Sequence, residues 1–245
     1  MTDRARPKFS AKPLESATEM KKVTSPVVGP VSHFRRLGSD TSGLAMVEFA
    51  LSMPLLIPLC FVGIQTADYT LANMRLSQIS SMVADNAGRV RRQIDETDID
   101  EVMIAARLAG ASLKLGERGR IILSSVEPNG QSGGNAGQKI TWQRCFGMKN
   151  VPSSFGVEGA GATTGALAQG IGPTGQRILA PTASAVLYVE LQYDYQPIVP
   201  EFLFPSRTIT YRSAYSKREG IPTYPTNLAS LVAPQRRLCS VLSAT

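Results

Sequence analysis

The hydropathy pattern changes character three times along the chain, and each change predicts a different kind of element. Residues 1–43 mix Lys, Arg, Ser, Thr and Pro with little apolar periodicity before Phe34. Such a stretch buries too little apolar surface to fold and reads as a disordered cytosolic leader. It is also longer than the n-region of an ordinary cleavable signal peptide. From Leu44 to Tyr69 the chain reads LAMVEFALSMPLLIPLCFVGIQTADY, with 19 uncharged residues between Glu48 and Asp68. As a helix they cover about 28 Å at 1.5 Å per residue, close to a bilayer's hydrocarbon core. A buried soluble helix of that length normally carries a polar stripe, and almost none shows before Gln65. Residues 44–69 are therefore expected to cross a membrane once. Pro54 and Pro58 lie inside this run; each removes a backbone donor and is expected to bend the helix, more tolerably where other helices pack beside it.

From Leu71 to Arg92 the pattern turns amphipathic. Met74, Ile79, Met82 and Val83 alternate with Arg75, Gln78, Asp85 and Asn86 at helical spacing. The membrane helix is expected to continue outward as one rod of about 50 residues. A second helix is expected to start at Thr97 or Asp98, with Glu101 in capping-box position, and to stop near Gly116. Its apolar face is Ile99, Val102, Met103, Ala106 and Ala109. Residues 70–116 are thus extra-membrane helix.

Beyond them the chain reads as β-rich. RIILSSV (120–126), KITWQR (139–144), SAVLYVELQYDY (184–195) and RTITYRSAY (207–215) are rich in β-branched and aromatic residues. In the third run Val186, Tyr188, Glu190 and Gln192 oppose Leu187, Val189, Leu191 and Tyr193. Residues 117–220 form a β-rich domain, with a Gly-rich surface loop over 156–175. The tail, 221–245, offers little beyond its prolines. The fold class is α+β: a long N-terminal helix followed by an antiparallel sheet.

Charge and chemistry narrow the function. A net charge of +7 invites nucleic acid, but the basic residues are scattered, with no stripe and no interleaved aromatic platform. Nucleic-acid binding is not expected. His33 stands alone in the leader, so no His-based triad or His-rich metal site exists. Asp95, Glu96, Asp98, Asp100 and Glu101 read as helix-capping, solvated acids rather than a cation site. The glycines between 130 and 175 lack phosphate-loop spacing. Tyr188, Tyr193 and Tyr195 read as strand aromatics of the core. No metal, cofactor or catalytic residue is expected. Cys60 in the apolar run reads as a small hydrophobe. Cys145 and Cys239 form a disulfide if the C-terminal part faces an oxidising compartment, and otherwise remain thiols.

The segment RRLGSDTSGLAMVEFALSMPLL (35–56) resembles the start of TadE-like proteins of the tight-adherence (Tad) pilus system, in Arg35, Arg36, Gly43, Val47, Glu48, Phe49, Ala50 and Pro54. WQRC (142–145) and VELQYDYQPIVPEF (189–202) look like that family's periplasmic part. The resemblance implies cleavage by a prepilin peptidase between Gly43 and Leu44, which makes Glu48 the fifth residue of the mature chain. A carboxylate at the start of an apolar span is costly and normally needs a partner; the freed Leu44 ammonium of the same or a neighbouring subunit would supply one. The resemblance also implies a bacterial inner-membrane protein with its C-terminal domain in the periplasm, an orientation the flanking charges leave open because Arg35 and Arg36 are balanced by Arg75 and Arg89. Expected partners are other pilin-like subunits, the inner-membrane assembly platform and the peptidase. The long leader and large outer domain suit a minor pseudopilin or scaffold better than a fibre subunit. The competing reading is a bitopic envelope protein whose outer domain binds a ligand or secreted partner, the helix serving only as anchor.

Overall fold

The computed structural model describes residues 43–90, 93–218 and 224–244. The leader, with His33, Arg35 and Arg36, lies outside them, as do Arg91, Arg92 and Pro222. Helix α1 spans Leu44–Arg89 and runs through Pro54 and Pro58 without interruption. The chain divides into two units that part between Pro54 and Leu55; the architecture that follows is that of the second.

Four antiparallel strands, β1 (Gly119–Pro128), β2 (Gln138–Phe146), β3 (Val186–Tyr195) and β4 (Arg207–Ser216), form one sheet in the order β2-β1-β3-β4. All four occur where the runs rich in β-branched and aromatic residues predict them. A bulge between Ser125 and Val126 shifts the β1–β2 register. Helix α1 lies across one face, burying Ala72, Leu76, Ile79, Val83, Ala84 and Ala87 against Leu123, Leu187, Val189, Leu191 and Tyr193. The spacing 72–76–79–83–87 is a helical stripe. It differs from the expected set, since Met74 is exposed and Met82 only half-buried. Small residues do much of the packing here: a Cβ on Gly88 would stand 3.4 Å from the Ser216 carbonyl oxygen.

The opposite face is covered too. Val126, Ile140 and Tyr188 pack with Leu167 and Ile171 from the Gly-rich stretch, with Phe155 and Ala160 beside them. The stretch is a long loop as expected, but it closes a second small core. That explains why β3 alternates in sequence while being buried on both sides.

Helix α2 spans Glu96–Ala109, and its start and stop correct the expectation. The N-cap is Asp95, in a reciprocal capping box with Asp98; the Asp95–Asp98 spacing equals that of Asp98–Glu101, and the earlier pair wins. Glu96 and Asp100 then fall inside the helix, where their partners lie. The helix ends at Gly110, because Leu115 folds back to within 2.6 Å of where a Cβ would be. A 3-10 turn (Ala111–Leu113) and the short α3 (Leu115–Arg118) lead into β1.

The tail carries more structure than its sequence suggests. Thr226 bridges to Asp95, Ser243 bridges to Gly147, and Cys239 is joined to Cys145 by a disulfide across 94 residues. Gly147 has φ 109°, and a Cβ there would stand 2.2 Å from the Gly119 carbonyl oxygen, so only glycine fits.

Candidate functional site

The resemblance residues sit at the start of α1. Gly43 precedes the helix, and its carbonyl accepts the Val47 N–H at 3.1 Å. Nothing among the described residues lies within 4 Å of where a Gly43 Cβ would stand, and its φ is not in the left-handed region. No described residue therefore asks for glycine at this position. Leu44, Val47, Glu48, Phe49 and Pro54 are all exposed, and Glu48 has no hydrogen bond or ion pair among the described residues.

Exposure continues beyond. Every residue from Leu55 to Ile64 is exposed, including Leu55, Leu59, Phe61 and the free Cys60. Helix α1 is long and apolar enough to cross a membrane, and none of its most hydrophobic window is buried.

The protein begins to cover this helix at one residue, Gln65, which is fully buried. Its Nε2 donates to the Tyr195 hydroxyl at 2.5 Å, and its Oε1 accepts from the Ile198 and Val199 N–H groups at 2.9 and 3.2 Å. The Tyr195 hydroxyl in turn donates to Asp68 Oδ2 at 2.5 Å. Burial, then the Asp68 carboxylate, holds the Tyr195 hydroxyl well above the ordinary phenol pKa. Tyr69 packs edge-on against Tyr195 and tilted against Phe204. The chain after β3 is thereby clipped to α1. A lone Gln ending an apolar run was the only sequence signal for this clip.

Two buried ion pairs fasten α2. Arg144 and Glu96 are both fully buried; Arg144 Nε donates to both Glu96 oxygens at 3.0 and 2.9 Å, and its Nη2 adds a further bond. Burial alone would lower the Arg144 pKa, but the Glu96 carboxylate and the Tyr224 hydroxyl raise it. Arg237 Nε donates to Asp100 Oδ1 at 2.6 Å. Glu96 and Asp100 are thus not the solvated acids their sequence suggests. The choice of partner explains why: each faces an arginine from β2 or the tail, and an ion pair under cover keeps its strength only with both partners present. Among the described residues no group of three or more His, Cys, Asp or Glu is arranged to hold a metal ion.

On the face away from α1 a cavity of about 490 Å³ opens between β1, β2, the 150–158 loop and Leu238–Ser240. Its lining includes Ile122, Val157 and the Cys145–Cys239 disulfide. Arg120, 3 % exposed, also lines it. Its donors reach only carbonyl oxygens: Nη1 to Gly147 and Val241, Nη2 to Cys239, at 2.7, 3.3 and 2.7 Å. Among the described residues its Nε has no partner and no carboxylate pairs with it, and burial lowers its pKa.

Comparison with known proteins gives one positive result. The family described as TadE-like protein matches residues 43–85. The match starts at Gly43 and covers Glu48, the exposed apolar run and most of the stripe packed on the sheet. The stretches 142–145 and 189–202 lie outside it. No curated protein and no solved structure matches the chain. The exposed apolar start of α1 and its packed continuation thus fall together in one segment, residues 43–85, that matches the TadE-like family.

Proposed function

We propose that this chain is a non-enzymatic, single-pass pseudopilin-type component of Tad (tight adherence) pilus assembly. It is held in the bacterial inner membrane by the first part of α1, with the sheet domain in the periplasm. The observation that carries this reading is the TadE-like match beginning at Gly43, on a helix whose residues from Leu55 to Ile64 have no protein covering them. Two further features support it. Among the described residues nothing requires glycine at position 43, as would hold for a residue read by a prepilin peptidase. The Cys145–Cys239 disulfide suits an oxidising compartment such as the periplasm.

In this mechanism the apolar run stores the subunit in the bilayer until it packs against the helices of other pilin-like subunits at the inner-membrane platform. Glu48, without an ion pair among the described residues, pairs with the ammonium that cleavage creates at Leu44 of the same or a neighbouring subunit. The test is the first residue of the mature protein taken from membranes of its native host. A chain starting at Leu44 is expected; one retaining the leader overturns the processing step. In the same host Glu48→Ala should impair piliation and leave the sheet domain folded, whereas a normal pilus yield would remove Glu48 from the mechanism.

The cavity beside Arg120 favours a second reading, a bitopic envelope protein whose outer domain binds a ligand or secreted partner. Exchanging residues 44–67 for an unrelated membrane span separates the two. A mere anchor tolerates the exchange, while an assembling helix does not.

A further inference from the structure

We propose that the turn over residues 198–204, between β3 and β4, inserts its apolar tip into the headgroup–acyl boundary of the membrane that α1 crosses. This makes the base of the sheet domain a second membrane contact. The inference rests on the reading of α1 as a membrane span.

The turn presents apolar side chains outward on a fixed backbone. Phe202 is 84 % exposed, above every other large hydrophobic residue described, and Ile198 and Leu203 are exposed beside it. A flexible loop would leave such exposure without meaning, but this one is held at both ends. The Ile198 and Val199 N–H groups are bound by the buried Gln65 side chain, and the Pro200 carbonyl accepts the Leu203 and Phe204 N–H groups at 2.9 and 3.3 Å. Phe204 turns inward onto Tyr69, which leaves Phe202 at the tip.

Position selects lipid as the occupant. Val199, Leu203 and Phe204 line one small apolar cleft with Phe61, Val62 and Gln65 of α1. Phe61 and Val62 are exposed members of the apolar run, one turn before the residue at which protein begins to cover the helix. A run of about 20 residues fills the hydrocarbon core, so its last turn sits at the boundary. The turn's apolar side chains are therefore continuous with the lipid-facing surface of the helix at that level. Glu201 limits the depth, because a carboxylate belongs among headgroups. With Arg207 close behind it, no strong preference for anionic lipid follows.

The test uses the full chain in phosphatidylcholine nanodiscs, where both membrane faces are open. Three single substitutions are compared, with buried Trp142 as a constant background. Phe202→Trp reports the turn, Leu59→Trp the span, and Gln131→Trp the exposed loop at the opposite end of the sheet. Emission from Phe202→Trp is expected to shift to the blue and to fall about twofold with lipids brominated near the headgroup, as for an apolar side chain ~5–10 Å into the boundary. Gln131→Trp should respond to aqueous iodide instead. If iodide reaches Phe202→Trp as readily as Gln131→Trp while Leu59→Trp is quenched by lipid, the span stands and the insertion is overturned. If Phe202→Trp is shielded from both quenchers, another copy of the chain covers it and the insertion is equally overturned. If Leu59→Trp also escapes the lipid, the membrane reading itself falls.

Discussion

Helix α1 lives in two environments, and the change between them takes place at one residue. From Leu55 to Ile64 every position is exposed and the sequence is apolar all round. From Gln65 to Gly88 the buried positions recur at helical spacing, with polar residues such as Arg75, Gln78 and Asn86 between them. The upper part is shaped by the sheet it packs on, so only one face must be apolar. Between Leu55 and Ile64 no described residue is such a partner, and the uniform apolarity suits a solvent that is the same on every side. A substitution should therefore be read differently on the two sides of Gln65: as domain stability above it, as partition of an exposed apolar helix below it.

The largest effect expected is one that ruins the domain and leaves the span alone. Arg144→Ala strands the Glu96 carboxylate in a fully buried site, at a cost of about 3–5 kcal/mol. Unfolding followed by Trp142 fluorescence should show that loss, while the protein still sediments with membranes. Wild-type stability in this variant would mean that the pair is not buried as described.

The comparison itself is tested within α1. Leu76 is fully buried and Leu59 is 66 % exposed. Leu76→Ala is expected to destabilise the domain by about 2–5 kcal/mol. Leu59→Ala should move it by no more than about 0.5 kcal/mol. Equal losses from both would show that protein covers the lower part as well.

How much of this was legible beforehand follows the range of each interaction. The apolar run, the four strands and the face of α2, apart from Ala109, which is exposed, depend on period and composition over ten to twenty neighbouring residues, and they could be read. The stripe on α1 was misread at Met74, because which side meets the sheet depends on strands far along the chain, from Leu123 to Tyr193. Glu96 and Asp100 looked like surface acids, since nothing near them in sequence announces Arg144 or Arg237. The tail was opaque for the same reason: Cys239, Arg237 and Ser243 are pinned by residues of β2, α2 and the turn after β2. Of the candidate site, the segment with Gly43 and Glu48 was visible by resemblance, whereas Gln65 was only the place where apolarity stopped.

The boundary residue can be examined directly. Gln65→Leu keeps the size and removes all three bonds, leaving the Ile198 and Val199 N–H groups short of a partner, at a cost of about 1–3 kcal/mol. The sharper readout is local. Amide exchange should quicken at Ile198 and Val199 and stay slow along β1, because the clip holds the turn and not the sheet. Uniformly quicker exchange would make Gln65 part of the core's general packing instead of a boundary clip.

The smallest effect is a dependence on alkaline pH confined to the upper side of that boundary. Burial first, and then the neighbouring Asp68 carboxylate, raises the Tyr195 hydroxyl above its ordinary value; Tyr188 on the other face is pushed up to about 12 by burial. A group whose folded pKa lies above its unfolded value contributes stability that is fully present below the unfolded value. For tyrosine that value is about 10, and the contribution is lost as pH rises through the folded pKa. Domain stability should thus be flat up to about pH 10 and decline above it. Phenolate absorbance from Tyr188 and Tyr195 should appear only above the ordinary tyrosine range. In Tyr195→Phe the Gln65 and Asp68 bonds to the hydroxyl are gone, so stability starts lower but falls less steeply over the same range. An unchanged slope in that variant would assign the alkaline decline to Tyr188 and Tyr193, inside the sheet domain, and leave the clip at Gln65 insensitive to pH.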